Sequence, residues 1–554
     1  MPALRPLRLS AVAALACALF GSPSFAQQSG SDQPKPSGTF RVAGVVVSSV
    51  TGAPLPQARV FLSSTTNRRE SASMVTQEDG RFQFTGLPAG KYSLQGARRG
   101  YLAAAYEQHE QYSTAIVTAA DLDTQNLTLR LVPMAALSGT VLDESGEPVR
   151  NAQVQLYAES HRGGSTRVIA FSSAITDDQG TFEFVPLAPG KYFVSARATP
   201  WYAVHAPSIA GDVPPSVVDA SLDVAYPTTF FGGATESDAA EPINVQAGDH
   251  AQAEIRLNAV PALRLLFHMP DNPTRGFQLP AIQQRIFDTT EGVPISGTQT
   301  SSSPGVMEIT GLAPGHYTVR LPGNGSGETP QEGEIELRQS GQDLNDSAGE
   351  ALAHVKLSVK LPKDEALPRQ MNIGLQDAKN RTVSFSHVSA TGDATFDGLA
   401  PGKYSVRVFA QAKAYSVVQM TSANAQLSGH EFELKPGESQ EWTVALAAGN
   451  CTIEGFVKRG SKAASGIMVV LIPKDPESHQ DLFRRDQSDL DGSFVLRDVI
   501  PGLYSVVAIE DAWGFDWSKP ALLARYAAHG QAVTIGELMQ GAVTLADPVQ
   551  VQPR

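Results

Sequence analysis

Apolar and polar residues alternate in short runs along most of the 554-residue chain, the period of strands with one buried and one wet face. Five such runs lead into one recurring phrase. Phe82 and Phe84 precede Gly86-Leu87-Pro88-Ala89-Gly90-Lys91-Tyr92, and Phe182 and Phe184 precede Pro186-Leu187-Ala188-Pro189-Gly190-Lys191-Tyr192. Met307 and Ile309 precede Gly311-Leu312-Ala313-Pro314-Gly315-His316-Tyr317, Ala394 and Phe396 precede Gly398-Leu399-Ala400-Pro401-Gly402-Lys403-Tyr404, and Phe494 and Leu496 precede Asp498-Val499-Ile500-Pro501-Gly502-Leu503-Tyr504. Alternation resumes after each tyrosine, at Leu94, Val194, Val319, Val406 and Val506. Each phrase therefore reads as strand, turn, strand, with Pro-Gly supplying a preset φ and then a residue free to take φ > 0. Gly80, Gly180, Gly305, Gly392 and Gly492 open the earlier strands and close the preceding hairpins, with Asp79, Asp178 and Asp491 as turn formers. Each phrase tyrosine is expected to bury its ring and tie its hydroxyl to backbone, as in a tyrosine corner.

The phrases recur about every hundred residues, one domain length and not one solenoid coil. The pattern predicts an all-β chain: a tandem array of about five seven-stranded antiparallel β-sandwich domains of prealbumin or immunoglobulin type, following a signal peptide. Arg5 and Arg8, the apolar run Leu9 to Phe20 and Ser24-Phe25-Ala26 make residues 1–26 a secretory signal. Ala14-Leu15-Ala16-Cys17 is only a loose lipobox, so cleavage after Ala26 is expected over lipidation at Cys17. Residues 27–37 read as a flexible leader. The sandwiches are expected at 38–133, 134–260 with a long aromatic insertion, 261–349 and 350–449 with degenerate first halves, and 450–554. Helix is scarce, with one short helix expected from Leu522 to His529.

The order Gly-x-Val, Gly-x-Pro, Ala-x-Val, Asp-x-Gly-x-Phe-x-Phe, Leu-x-Pro-Gly-x-Tyr resembles the carboxypeptidase regulatory-like domain, a transthyretin-like sandwich related to the Cna B-type and starch-binding-like folds. The second unit carries it most fully, in Leu137-Ser138-Gly139-Thr140-Val141, Gly146, Pro148, Ala152, Val154, Leu156, Gly180, Phe182, Phe184 and Pro189-Gly190-Lys191-Tyr192. The resemblance implies a fold more than an activity. Cna B-type domains can carry a Lys–Asn isopeptide bond; the first strands of units one and two hold no lysine, and Lys458 alone has the right flavour in unit five.

Composition narrows the partners. The formal net charge is −13, and removal of the signal takes two arginines and no acid, which disfavours nucleic acid. No later apolar stretch is long enough to span a membrane. Of two cysteines only Cys451 survives processing, so no internal disulfide forms. His-Glu-x-x-His, Gly-x-Ser-x-Gly, Walker and dinucleotide motifs are absent, and no catalytic residue, cofactor or metal is expected. Asp486, Asp489 and Asp491 gather in one turn, but the twelve-residue calcium loop with its terminal Glu is missing, and an Asp-rich hairpin turn is the plainer reading.

Aromatic residues are the remaining candidates for ligand binding, because sugar-binding sandwiches offer ring faces to pyranoses. They are Trp201, Tyr202, Tyr226, Phe230 and Phe231 on the insertion and Trp513, Phe515 and Trp517 near the end; closing the ends of a sandwich core is the competing role. The sequence thus points to a monomeric, non-enzymatic, exported binding or scaffold protein of the periplasm, cell surface or medium. Its partner is carbohydrate, by resemblance to the starch-binding-like fold, or an extracellular or periplasmic protein. Accessory modules of an extracellular hydrolase system and a structural spacer are the alternatives.

Overall fold

A computed structural model of the chain describes residues 38–67, 69–161, 164–205, 219–268, 279–293, 297–300, 306–321, 331–344, 350–362, 365–378, 380–411, 413–423 and 426–554. The signal, the leader, Cys17, Gly305 and Pro214-Pro215 lie outside them. The alternation becomes strand nearly everywhere. In the first unit the strands are β1 (Phe40–Ser48), β2 (Arg59–Ser64), β3 (Ser71–Val75), β4 (Arg81–Leu87), β5 (Gly90–Ala97), β6 (Ala104–Ala105), β7 (Ile116–Thr118) and β8 (Leu127–Leu131). They form two sheets, β4-β1-β8 and β3-β2-β5-β6, with β7 also on β5. Val42 and Val46 of one sheet meet Val60, Leu62 and Leu94 of the other in a closed core. Each such side chain contributes about 1.5–3 kcal/mol by leaving water.

The plan repeats along the chain with separate cores. The second is built on Leu137, Val154, Phe182, Val194 and Ile255, the third on Leu265, Ile282, Ile309 and Leu337. The fourth holds Val355, Ile373, Phe396 and Val444, and the fifth Ile453, Val469, Phe494 and Val506. The hairpins are antiparallel, but every unit adds a pairing that alternation cannot reveal: its first strand runs parallel to a late one, in the fifth unit to two. Gly44 lies opposite Leu127, Gly139 opposite Ala253, Leu265 opposite Gln342, Leu357 opposite Trp442 and Ile453 opposite Val543.

At the recurring corner the positive φ sits where the turn reading did not put it. Gly86, Gly311, Gly398 and Asp498 have φ of 71°, 79°, 66° and 54°, at the first position of the phrase. The strand register slips there, as between Phe40 and Arg41 opposite Leu87 and Thr85. The corner is therefore a bulge that bends the strand before the proline. The Pro-Gly glycine serves the tyrosine instead: a Cβ on Gly190 or Gly502 would lie 3.6 or 3.1 Å from the ring two residues on. All five rings are buried. Their hydroxyls donate to the carbonyl four residues back: Tyr92 to Pro88 at 3.0 Å, Tyr192 to Ala188 at 2.8 Å, Tyr317 to Ala313 at 2.7 Å, Tyr404 to Ala400 at 2.5 Å and Tyr504 to Ile500 at 2.7 Å. Each tyrosine thus pins its own bulged turn.

Two local expectations shift by a little. The carboxylate holding the turn before Gly180 is Asp177, not Asp178; its Oδ1 accepts the N–H groups of Gln179 and Thr181 at 2.9 and 2.8 Å. The short helix runs from Pro520 to Ala527, with Pro at its first turn and Leu523 and Tyr526 buried.

Candidate functional site

Recurring units suggest beads, yet these units are tied together by polar contacts far apart in sequence. Unit two meets unit three through Glu291, which accepts from Tyr157 Oη at 2.7 Å and faces Arg197 at 3.1 Å. Arg320 of unit three donates to the Gly398 carbonyl of unit four. Unit five turns back onto unit two, where Asp516 Oδ1 accepts from Thr166 Oγ1 at 2.9 Å.

The densest seam joins unit five to unit one. Lys91, from the first recurring phrase, places Nζ 2.6 Å from Asp489 Oδ2 and 2.7 Å from Ser493 Oγ. Asp489 Oδ1 accepts the Ala115 N–H at 2.9 Å, and the Leu490 N–H donates to the Ala115 carbonyl at 3.1 Å. Asp489 stands at the turn position held by Asp177 in unit two, diverted from its own turn to a neighbouring unit. Burial pushes its carboxyl pKa up, although Lys91 pulls the other way. Beside it Arg485 pairs with Glu110 at 2.8 Å, and its guanidinium lies over Tyr112 and Trp517, 5.3 and 4.1 Å from their centroids. Gln487 donates to the Glu107 carbonyl at 2.6 Å and to Thr114 Oγ1 at 2.9 Å.

This seam absorbs most of the C-terminal aromatic cluster. Trp513 stacks on His109 at 4.8 Å with 6° between planes, and its Nε1 donates to the Gly466 carbonyl. Phe515 is buried edge-on against Tyr526. Trp517 is covered by Arg485 and by Phe483, whose ring is 6.0 Å away. Expected as sugar platforms, Trp513, Phe515 and Trp517 have their faces occupied by the chain, because unit five packs its aromatic loop against unit one. The insertion behaves similarly. Tyr226 and Phe230 are buried, and half-buried Phe231 packs against the second core. The Tyr202 and Tyr226 hydroxyls both donate to the Glu144 carboxylate, the latter at 2.9 Å. Trp201 alone of the eight is largely exposed, at 85%, edge-on to Tyr202.

The three aspartates considered for calcium do not converge on a common point. Asp486 Oδ2 accepts the Val495 N–H at 2.7 Å, Asp489 faces Lys91, and Asp491 Oδ1 accepts the Ser493 N–H at 3.0 Å. Asp486 has a thermodynamic signature. Burial raises its pKa to about 6, against the Val495 and Gln487 N–H groups that favour the anion. Below pH 4 folded and unfolded chains both hold the proton; between about pH 4 and 6 the unfolded carboxyl ionises while the folded one keeps its proton, so stability falls across that window and levels off above it. Asp486→Asn is therefore expected to melt higher than the parent above pH 6, by up to about 3 kcal/mol, and to approach it near pH 4. Thermal melts across that range check this; a constant difference at all pH values excludes it.

Two features were not read from the sequence. A groove of about 630 Å³ lies on unit one, lined among others by Arg59, Phe61, Gln95, Gln108, Gln111 and Tyr112. Its residues come from β2, β3, β5, β6 and the segment after β6, which only folding brings together. The other is a cluster of His430, His479 and Asp481 at the junction of units four and five. His479-x-Asp481 was a visible signal, but its partner is 49 positions upstream and only folding joins them.

Residues 41–131 and 136–223 match the carboxypeptidase regulatory-like domain. No curated protein matches the chain significantly. Solved structures similar to it include the TIE protein of Bacillus anthracis, at 13% identity over 76% of each chain and a TM-score of 0.17. The minor pilin GBS52 of Streptococcus agalactiae matches at 12% identity over 43% of this chain and 100% of its own, with a TM-score of 0.20. Two B repeat units of the collagen binding protein of Staphylococcus aureus match at 12% identity over 74% and 99%, with a TM-score of 0.12. The bulged corners and buried tyrosines recur within the two matched segments: the first two units of this all-β chain are similar to the carboxypeptidase regulatory-like domain.

Proposed function

We propose that the protein is an exported, non-catalytic scaffold that recognises an extracellular or periplasmic partner, carbohydrate first, through the groove on unit one. The observation that carries this reading is the chemistry of the lining. Three glutamines and two serines offer donors and acceptors, Phe61 offers a ring, and Arg59 is the sole charged side chain among the lining residues. Amides and aromatic rings suit hydroxyl-rich ligands. Glycoside hydrolysis would require two carboxyl groups across the bond, and the lining residues include none. Phe61 is 38% exposed, enough for a sugar ring to stack on it.

Affinity electrophoresis of the full mature chain through polysaccharide gels tests the reading. Retardation by a subset of polysaccharides, abolished in Phe61→Ala, is the expected result. Equal mobility in every gel sinks the carbohydrate proposal. A protein partner is the second reading, favoured by the outer face of unit four, where Val383, Phe385 and Phe409 are exposed and the two phenyl rings lie 5.4 Å apart.

A further inference from the structure

Asp481 is the centre of the junction between units four and five. Ser416 of unit four donates to its Oδ2, and Arg407 of unit four brings Nη1 to 3.0 Å from its Oδ1. That approach is off the hydrogen-bonding direction: both Asp481 Oδ1 and Arg407 Nη1 are buried without a hydrogen-bond partner. Two imidazoles share the spot. His430 is 5% exposed and its Nδ1 has no partner; His479 Nδ1 is buried and unpartnered too. The ring centroids are 6.1 Å apart. His430, His479 and Asp481 each offer one donor atom, all within 4.8 Å of one another.

An orphaned buried polar atom costs about 1–3 kcal/mol, and several together need an explanation. Arg407 can answer the carboxylate but not an imidazole lone pair. A metal cation can accept electron pairs from both rings and the carboxylate at once. We propose that His430, His479 and Asp481 form a divalent transition-metal site that clamps unit four to unit five. Two imidazole nitrogens and one carboxylate oxygen suit zinc or cobalt(II) better than calcium or magnesium, which prefer oxygen. Tetrahedral zinc holds its donors roughly 3.4 Å apart, so small side-chain rotations close the present spacing, with water as fourth ligand. Arg407 keeps its Nε bond to Gln376 Oε1 at 2.8 Å and can yield the carboxylate without losing its anchor. His430 lies just before the strand Glu431–Leu434 of unit four, while His479 and Asp481 lie on the loop after Met468–Pro473 of unit five. Bound metal would therefore cross-link two units.

Cobalt(II) titration of the untagged mature chain, freed of metal by a chelator, tests the site. Saturation at one ion per chain with visible ligand-field bands is expected, with affinity at least tenfold weaker in His479→Ala and in Asp481→Asn. His479 is only partly buried, so its variant should fold even if Asp481→Asn loosens the junction. Hydrogen exchange of residues 426–434 and 475–484 should slow together on metal addition in the parent and not in His479→Ala. No saturable binding, binding within twofold of the parent in both variants, or cobalt bands without the paired exchange effect would overturn the clamp.

Discussion

Gly139→Val is expected to prevent unit two from folding. Gly139 sits mid-strand with Phe182 opposite on one side and Ala253 on the other. A Cβ there would lie 1.9 Å from the Ala253 carbonyl oxygen and 2.7 Å from Phe182 Cζ. The phenyl ring could tilt, but the carbonyl belongs to the parallel ladder and cannot retreat by more than an ångström without breaking it. Overpacking in a tight core typically costs about 1–3 kcal/mol, and loss of the ladder and its share of the core adds to this. Limited proteolysis should then cut within 134–260 while the other units persist. Gly292→Ala is the control, since a Cβ there meets nothing within 4 Å. A Gly139→Val chain as resistant as the parent would refute this account of the Gly-x-Val motif. Gly44 makes the same close approach, 2.1 Å from the Leu127 carbonyl oxygen, so the motif marks where the parallel strand crosses.

Asp489→Ala is expected to open the seam between units one and five. The change strands the Lys91 ammonium and the Ala115 N–H at an interface where Asp489 is 15% exposed and Lys91 33%. Breaking a buried pair by removing one partner costs about 3–5 kcal/mol, chiefly because the remaining charge stays desolvated; partial exposure of Lys91 puts the seam at the lower end. Hydrogen exchange should accelerate across 107–118 and 484–493 in concert, with the core strands of both units unchanged. Asp177→Ala removes the same turn position in unit two, where the carboxylate serves its own hairpin, and should leave that seam untouched. If Asp489→Ala leaves exchange at 107–118 as it was, the seam does not depend on this pair.

The strands, the cores and the recurring corner were legible because their causes are local. Alternation at Phe82 and Phe84 or Tyr192 and Val194 assigns faces, and Pro-Gly-x-Tyr ends one strand and starts the next. Even there, backbone detail escaped: in four of the five corners the left-handed residue is Gly86 or its counterpart ahead of the proline, and of the Pro-Gly glycines only Gly402 has a positive φ, at 149°. The aromatic candidates show the limit plainly. Trp513 and Trp517 have the composition of a sugar platform, and nothing in their neighbourhood along the chain announces His109 or Arg485.

By itself, then, the sequence determined an all-β chain of repeated sandwich units with no recognisable catalytic motif, since strand period, turn chemistry and core faces act over a few residues. Tertiary structure alone decided which unit leans on which. Lys91 and Asp489 are about four hundred positions apart, as are His109 and Trp513, and charge or aromatic character carries no address. The pairing of His430 with His479 and Asp481 arises the same way: proximity is set by how whole sandwiches pack, a property of surfaces formed only after each core has closed.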